Sequence, residues 1–145
     1  MIFVLVAVAV FVLDRATKSI VAAQVPYGTE VAIVDHFVGI TNVHNSGAAF
    51  GTAPAFAGIF LIASIVVSIG LAIYVFRTPA NDWMYALLGL IMGGTLGNGY
   101  ERLFNGTVID FINFHFWPVF NIADSAVSIG VVLLIAAYAF RRTEN

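Results

Sequence analysis

Four apolar segments dominate this chain, and each is about as long as a helix that crosses a lipid bilayer. They cover about residues 1–25, 56–76, 83–103 and 124–140. At ~1.5 Å per residue, helices of this length cross a hydrocarbon core of ~30 Å. Only 10% of the residues are charged, whereas a soluble domain carries about a quarter. We therefore predict an all-α membrane protein that forms a single domain over residues 1–145, with four transmembrane helices.

The first apolar segment is predicted to be a retained helix rather than a cleaved signal peptide. It has no basic residue ahead of its apolar run, and Asp14, Arg15 and Lys18 interrupt it where a cleavage site would lie. Pro26, just after this segment, is expected to end the helix.

The basic residues of the loops predict the orientation of the chain. The longer connections, about residues 26–55 and 104–123, contain no Lys or Arg, whereas the turn at Arg77 and the tail at Arg141 and Arg142 hold three. Because basic loops stay on the cytoplasmic side, both termini are predicted to be cytoplasmic and the two longer loops to face outward.

The first outer loop is expected to contain regular structure. Residues 29–43 are rich in β-branched side chains, which predicts two short strands and thus a small extracytoplasmic β-sheet. Small residues follow from Asn45 to Gly51 and indicate a loop.

Two acids, Asp110 and Asp124, lie between apolar segments, where an ionised carboxylate is costly and usually has a function. The polar residues of the predicted helices lie ~20–28 Å above the cytoplasmic ends at ~1.5 Å per residue: Asp14, Lys18, Asn98, Arg102 and Asp124. This level is near the outer boundary of the hydrocarbon, where Asp110 and the Asn45 loop could also reach it. Such convergence predicts one shared site.

Composition narrows the chemistry of that site. The chain has no cysteine, which excludes disulfides and a thiol nucleophile, and its three histidines lack the spacing of metal ligands. Its six basic residues are scattered, so no nucleic-acid partner is expected. Two adjacent carboxylates that share a proton can act as base and acid on one water molecule. We therefore predict hydrolysis by Asp110 and Asp124 without a metal or cofactor.

Simpler interpretations of the same residues remain open. Asp124 could be a helix N-cap, and Asp110 could belong to a turn beside Asn105-Gly106. The i,i+4 spacing of Asp14 and Lys18 indicates an ion pair. The remaining polar residues could have local roles, with Arg102 reaching the interface and the two amides bonding backbone groups: Asn98 and Asn121.

Other functional classes are also open at this point. A proton-coupled carrier would use intramembrane acids as a relay, but it would need them at several depths. In a structural subunit the acids would be expendable. Aromatic residues between Phe111 and Phe120 are typical of an interfacial belt, and they could equally bind acyl chains.

Five motifs occur in an order that resembles the lipoprotein signal peptidases, the bacterial signal peptidase II family. They are Leu-Asp-Arg-Ala-Thr-Lys (13–18), Asn-Ser-Gly-Ala-Ala-Phe (45–50), Gly-Gly-Thr-Leu-Gly-Asn-Gly-Tyr-Glu-Arg (93–102), Val-Ile-Asp-Phe (108–111) and Phe-Asn-Ile-Ala-Asp-Ser (120–125). Two positions differ from the usual family pattern, with Glu101 where Asp is usual and Arg15 where Gln is common.

The resemblance implies an intramembrane aspartic endopeptidase of the bacterial cytoplasmic (inner) membrane, with its active site near the outer leaflet. The expected substrate is a diacylglyceryl-modified prolipoprotein, cut just before the lipidated lipobox cysteine, and the expected inhibitor is globomycin. We expect the protein to act as a monomer among membrane lipids.

The resemblance also implies roles for particular residues. Asp110 and Asp124 match the catalytic pair. Four residues match positions that bind substrate or orient the pair: Asn45, Asn98, Arg102 and Asn121. Asp14 and Lys18 match a structural pair.

Overall fold

The computed structural model describes residues 1–47 and 55–142, and these form four helices and three strands. In chain order they are α1 (Ile2–Gln24), β1 (Glu30–Val34), β2 (Val38–Asn45), α2 (Ala55–Arg77), α3 (Asp82–Asn105), β3 (Val108–Asn113) and α4 (Ile122–Arg142). Each helix begins and ends within two residues of the apolar segment that predicted it. Most of the loop predicted after Asn45, residues 48–54, lies outside the described residues.

Local sequence explains where the helices end. The last residue of α1 is followed by Val25 in an extended conformation, which is the conformation favoured ahead of Pro26. The helix α3 begins at the N-cap Asn81, whose side chain accepts the N–H of Met84 at 2.8 Å. It ends at Gly106, whose left-handed φ of 72° suits a helix C-cap.

Two of the helices are apolar and long enough to cross a membrane on composition alone, over residues 57–77 and 122–140. The other two differ in composition, because α1 carries three charged residues within an otherwise apolar sequence and α3 is rich in glycine. Their polar groups are mostly buried, as described below.

The helix α3 contacts the three other helices and lies between them. Gly93 faces α1, where a Cβ would lie 2.5 Å from the carbonyl oxygen of Ala7. Gly94 faces α4, where a Cβ would clash with the carbonyl oxygen of Ala123. The small residues of α3 therefore let two neighbouring backbones approach closely.

The sheet is antiparallel with the order β1-β2-β3. The two strands predicted in the first loop are present, and β3 is a third strand that the sequence did not predict. Its register with β2 places Asn45 opposite Val108, and Val43 opposite Asp110. The side chain of Asp110 faces inward, so the strand lacks the apolar alternation that would have indicated it.

A small apolar cluster holds the sheet against the helices. Val21 and Val25 at the end of α1 pack with Phe111 of β3. Partly buried neighbours come from β2, β3 and the start of α4: Ile40, Ile112 and Ile122. The cluster therefore fixes β3 beside the first turn of α4.

Candidate functional site

Asp110 is a buried carboxylate on β3, with 3% of its surface exposed. Its Oδ2 accepts a hydrogen bond from Asn45 Nδ2 at 2.8 Å, and its Oδ1 accepts one from Asn121 Nδ2 at 2.6 Å. Both donors are amides, so neither neutralises the carboxylate.

The pKa of Asp110 is raised from 3.8 to about 6. Burial is the main cause, and the negative charge of Asp124 adds to it, whereas the hydrogen bonds from Asn45 and Asn121 lower the pKa. Asp110 can therefore exchange a proton much nearer neutral pH than an exposed aspartate can.

Asp124 lies in the first turn of α4. Its Oδ2 accepts the backbone N–H of Asn121 at 3.2 Å, and Asn121 Oδ1 accepts the N–H of Asp124 at 2.9 Å. This reciprocal pair is a capping box, in which Asn121 is the N-cap and Asp124 is the third helical residue. The interpretation of Asp124 as the N-cap itself is therefore wrong by three residues.

Asn98 and Asn121 connect the two aspartates. Asn98 Nδ2 donates to Asp124 Oδ1 at 2.7 Å, and its Oδ1 accepts from Asn121 Nδ2 at 3.2 Å. Asn121 in turn donates to Asp110. The structure thus brings together five predicted residues from α3, the start of α4 and the strands β2 and β3: Asn45, Asn98, Asp110, Asn121 and Asp124.

Asp14 and Lys18 form the ion pair that their spacing indicates, with 2.8 Å between Asp14 Oδ2 and Lys18 Nζ, and both side chains are fully buried. Lys18 also donates to Asn98 Oδ1 at 2.8 Å. The pair is therefore joined to the residues around the two aspartates.

Sequence reasoning missed two charged residues of this network. Glu101 is fully buried, with its Oε2 3.0 Å from Lys18 Nζ and its Oε1 2.8 Å from Arg15 Nη1. The sequence contained a signal for both residues, because Arg15 and Glu101 are the two positions at which the chain differs from the family pattern that it resembles.

A cavity of about 320 Å³ opens beside Asp124, between α2, α3 and α4. Asp124, Asn98 and Arg102 supply its ionisable and amide groups, and the guanidinium of Arg102 lies 5.1 Å from the centre of the Phe60 ring. The rest of the lining consists of small and apolar residues of the three helices. A larger cavity of about 560 Å³, between α1, α2 and α3, is almost wholly apolar and is lined by neither aspartate.

Within residues 1–47 and 55–142, no three His, Asp or Glu side chains are grouped as metal ligands would be. The amide and carboxylate groups around Asp110 and Asp124 are instead engaged with one another. The two carboxylates are linked through Asn121, and Asp124 also lines the cavity.

The chain is similar to known proteins along most of its length. A family model described as signal peptidase II matches residues 6–140. The lipoprotein signal peptidase of Desulfitobacterium hafniense is 44% identical over 128 residues, which cover 87% of this chain and 85% of that protein. That of Staphylococcus aureus is 38% identical over 140 residues, covering 92% and 85%.

Two solved structures share the fold. Both are bacterial membrane enzymes solved by the in meso method, at 2.3 Å and 1.9 Å resolution. The first has a TM-score of 0.90 and 34% identity, and the match covers 99% of this chain and 90% of that one. The second has a TM-score of 0.85 and 35% identity, with coverage of 94% and 91%.

Proposed function

The chain belongs to the signal peptidase II family, and we propose that it is an intramembrane aspartic endopeptidase that processes prolipoproteins. Its substrate is a prolipoprotein whose lipobox cysteine carries a diacylglyceryl group, and cleavage occurs just before that cysteine. The observation that carries the proposal is the convergence of Asp110 and Asp124 on one amide residue, Asn121, beside an open cavity.

Hydrolysis then proceeds through a shared proton. With one carboxylate ionised and the other protonated, the ionised one takes a proton from water as the water oxygen attacks the scissile carbonyl carbon. The protonated one gives its proton to the carbonyl oxygen, which forms a neutral tetrahedral diol. The diol collapses as the C–N bond breaks. The leaving amine of the lipidated cysteine takes a proton from the carboxylic acid formed in the first step, and one diol hydroxyl gives its proton to the other carboxylate, which restores the starting state of the pair.

The amides orient this pair. Asn45 and Asn121 fix the two oxygens of Asp110, and Asn98 fixes one oxygen of Asp124. Because amide donors carry no net charge, they hold the carboxylates in place while leaving both able to change protonation state.

Arg102 is proposed to bind the substrate. It lines the same cavity as Asp124 and lies over the ring of Phe60. A guanidinium there can donate to a peptide carbonyl of a signal peptide that enters between the helices, while the acyl chains of the substrate remain in the bilayer.

The proposed topology has all four helices crossing the inner membrane. They contain 23, 23, 24 and 21 residues, and at ~1.5 Å per residue each reaches ~30 Å. The charges of α1 pair with those of α3, so these helices need not present unpaired charges to lipid. Basic residues at Arg77, Arg141 and Arg142 favour cytoplasmic termini and an active site near the outer leaflet.

A proton carrier is less well supported. In the other half of α3, the buried side chains from Met84 to Met92 are apolar, and a relay across the bilayer would need polar groups there.

The experiment is cleavage of a synthetic lipobox peptide, with and without diacylglyceryl on its cysteine, by the purified protein in lipid. Asp110→Asn and Asp124→Asn are each expected to reduce cleavage by about 100- to 10,000-fold. Asp35→Asn, in the exposed turn between β1 and β2, is the matched control and should cleave normally. Globomycin should inhibit the unsubstituted protein.

Three results would count against the proposal. Full activity of either folded Asn variant would remove that aspartate from the mechanism. Equal cleavage of both peptides would remove the lipid requirement. Inactivity of the unsubstituted protein on a peptide that a known signal peptidase II cleaves would reject the function.

A further inference from the structure

Two buried carboxylates hold the backbone on either side of the site in matching ways. Asp14 Oδ1 accepts the N–H of Ala123 at 3.0 Å. Glu101 Oε2 accepts the N–H of Ile109 at 3.1 Å. Each of these N–H groups belongs to the residue just before one of the two aspartates.

One ammonium group connects the two carboxylates. Lys18 Nζ lies 2.8 Å from Asp14 Oδ2 and 3.0 Å from Glu101 Oε2. Lys18 Nζ also donates a hydrogen bond to Asn98 Oδ1 at 2.8 Å, so three oxygen atoms lie within 3.0 Å of the ammonium group. Because all of these side chains are buried, the group sets the spacing between β3 and the first turn of α4.

The formal charges of the buried cluster formed by Asp14, Lys18, Asn98 and Glu101 balance only when Arg15 is included. Asp14 and Glu101 carry two negative charges and Lys18 one positive charge. The pair between Arg15 Nη1 and Glu101 Oε1, at 2.8 Å, brings the sum to zero. Arg15 also lies over the Tyr100 ring, 4.9 Å from its centre, with 28% of its side chain exposed.

We propose that Glu101 is a positioning residue for Asp110, and that Arg15 is the ion-pair partner that holds the Glu101 carboxylate in that position. The inference rests on the proposed function of Asp110. Glu101 acts through the backbone of Ile109, and it fixes where β3 presents the carboxylate to its partner on α4.

Single substitutions in the pair have opposite electrostatic effects at Asp110. Arg15→Gln leaves the buried group with one excess negative charge, which disfavours ionisation of Asp110. Glu101→Gln leaves one excess positive charge, which favours it. The double variant restores a zero sum, and the amide oxygen of the introduced glutamine can still accept the N–H of Ile109. The other polar groups around Asp110 are the same in all variants: Lys18, Asn45, Asn98, Arg102, Asn121 and Asp124.

The test measures kcat and KM for the lipidated peptide across pH. We expect the acid limb of the plot of kcat against pH to move to higher pH in Arg15→Gln, to lower pH in Glu101→Gln, and back toward its original position in the double variant.

Glu101→Ala, which removes the acceptor for the Ile109 N–H, should lower kcat by about 100-fold with KM unchanged. Asp82→Asn, at the other end of α3, is the matched charge control and should change neither.

A second readout separates this inference from the proposed function. An infrared titration of the protonated carboxyl band, assigned to Asp110 by its loss in Asp110→Asn, reports the same opposite shifts without any substrate. Opposite shifts that cancel in the double variant support the inference even if no peptide is cleaved. Unmoved titrations in both single Gln variants, or kcat losses that follow only the loss of thermal stability, would overturn it.

Discussion

Asn121 shows how one side chain can serve both a helix and the candidate functional site. Its amide oxygen caps α4 through the N–H of Asp124, while its amide nitrogen donates to Asp110 at 2.6 Å. A carboxylate of the same shape could cap the helix, but it could not donate and would repel Asp110. The site therefore needs an amide at this position.

The raised pKa of Asp110 makes the stability of the protein depend on pH. The folded-state pKa of about 6 lies above the ordinary 3.8, so the folded state binds the proton more tightly than the unfolded chain does. The resulting stabilisation is fully present below pH ~4 and is lost as pH rises through ~6.

Asp110→Asn removes this dependence. Relative to the unsubstituted protein, the variant should gain up to about 3 kcal/mol of unfolding free energy between pH 4 and pH 7, because Asn has no proton to lose. Denaturant unfolding in detergent at several pH values measures the difference. A difference that is constant with pH would contradict the raised pKa, and Asp35→Asn controls for the loss of an exposed carboxylate.

The beginning of α4 is held by more contacts than a helix end requires. The capping box at Asn121 satisfies two backbone N–H groups, and Asp14 Oδ1 accepts a third, from Ala123. At α3, by contrast, the exposed Asn81 caps the helix by accepting one N–H, that of Met84. The additional contacts of α4 fix the direction of the Asp124 side chain.

The two N-caps provide a matched comparison at the level of the element. Asn81→Ala should cost about 1 kcal/mol of unfolding free energy and leave cleavage per folded molecule unchanged. Asn121→Ala should cost about 2–4 kcal/mol, because it also leaves a buried oxygen of Asp110 without its donor. It should lower kcat as well.

Chemical denaturation and peptide cleavage on the same preparations make this comparison. Equal stability losses in the two variants, with cleavage retained in both, would show that Asn121 is only a cap.

At the scale of the whole molecule, polar and apolar groups are segregated along the helices. The buried charges and amides gather where α1, α3 and α4 meet the sheet. The helices also present large apolar side chains outward, including Leu5, Ile62 and Ile129, each more than half exposed. This distribution suits the proposed arrangement, in which lipid surrounds the bundle and the candidate site lies near one membrane surface.

The topology can be tested directly because the chain contains no cysteine. With the proposed orientation, Asp35→Cys, in the turn between β1 and β2, should react with a membrane-impermeant maleimide on intact cells. Pro79→Cys, in the turn between α2 and α3, should react only after permeabilisation. Both positions are exposed, so both should react fully in detergent. Labelling of Pro79→Cys on intact cells would reverse the proposed orientation.

The sequence by itself determined the number and bounds of the helices, because a long apolar run is a local property of the chain. It also singled out Asp110 and Asp124, because acids between apolar segments are conspicuous. The two strands of the first loop followed from β-branched composition. These features needed no knowledge of distant contacts.

Only the tertiary structure decided which groups surround those acids. Lys18 and Asn98 are 80 residues apart in sequence yet in contact, and the bond from Ile109 to Glu101 depends on β3 turning back beside the end of α3. The strand β3 itself was hidden because its inward position carries a carboxylate. Such partners depend on how the helices and sheet pack together, since a hydrogen bond forms wherever packing brings a donor to an acceptor, whatever their separation along the chain.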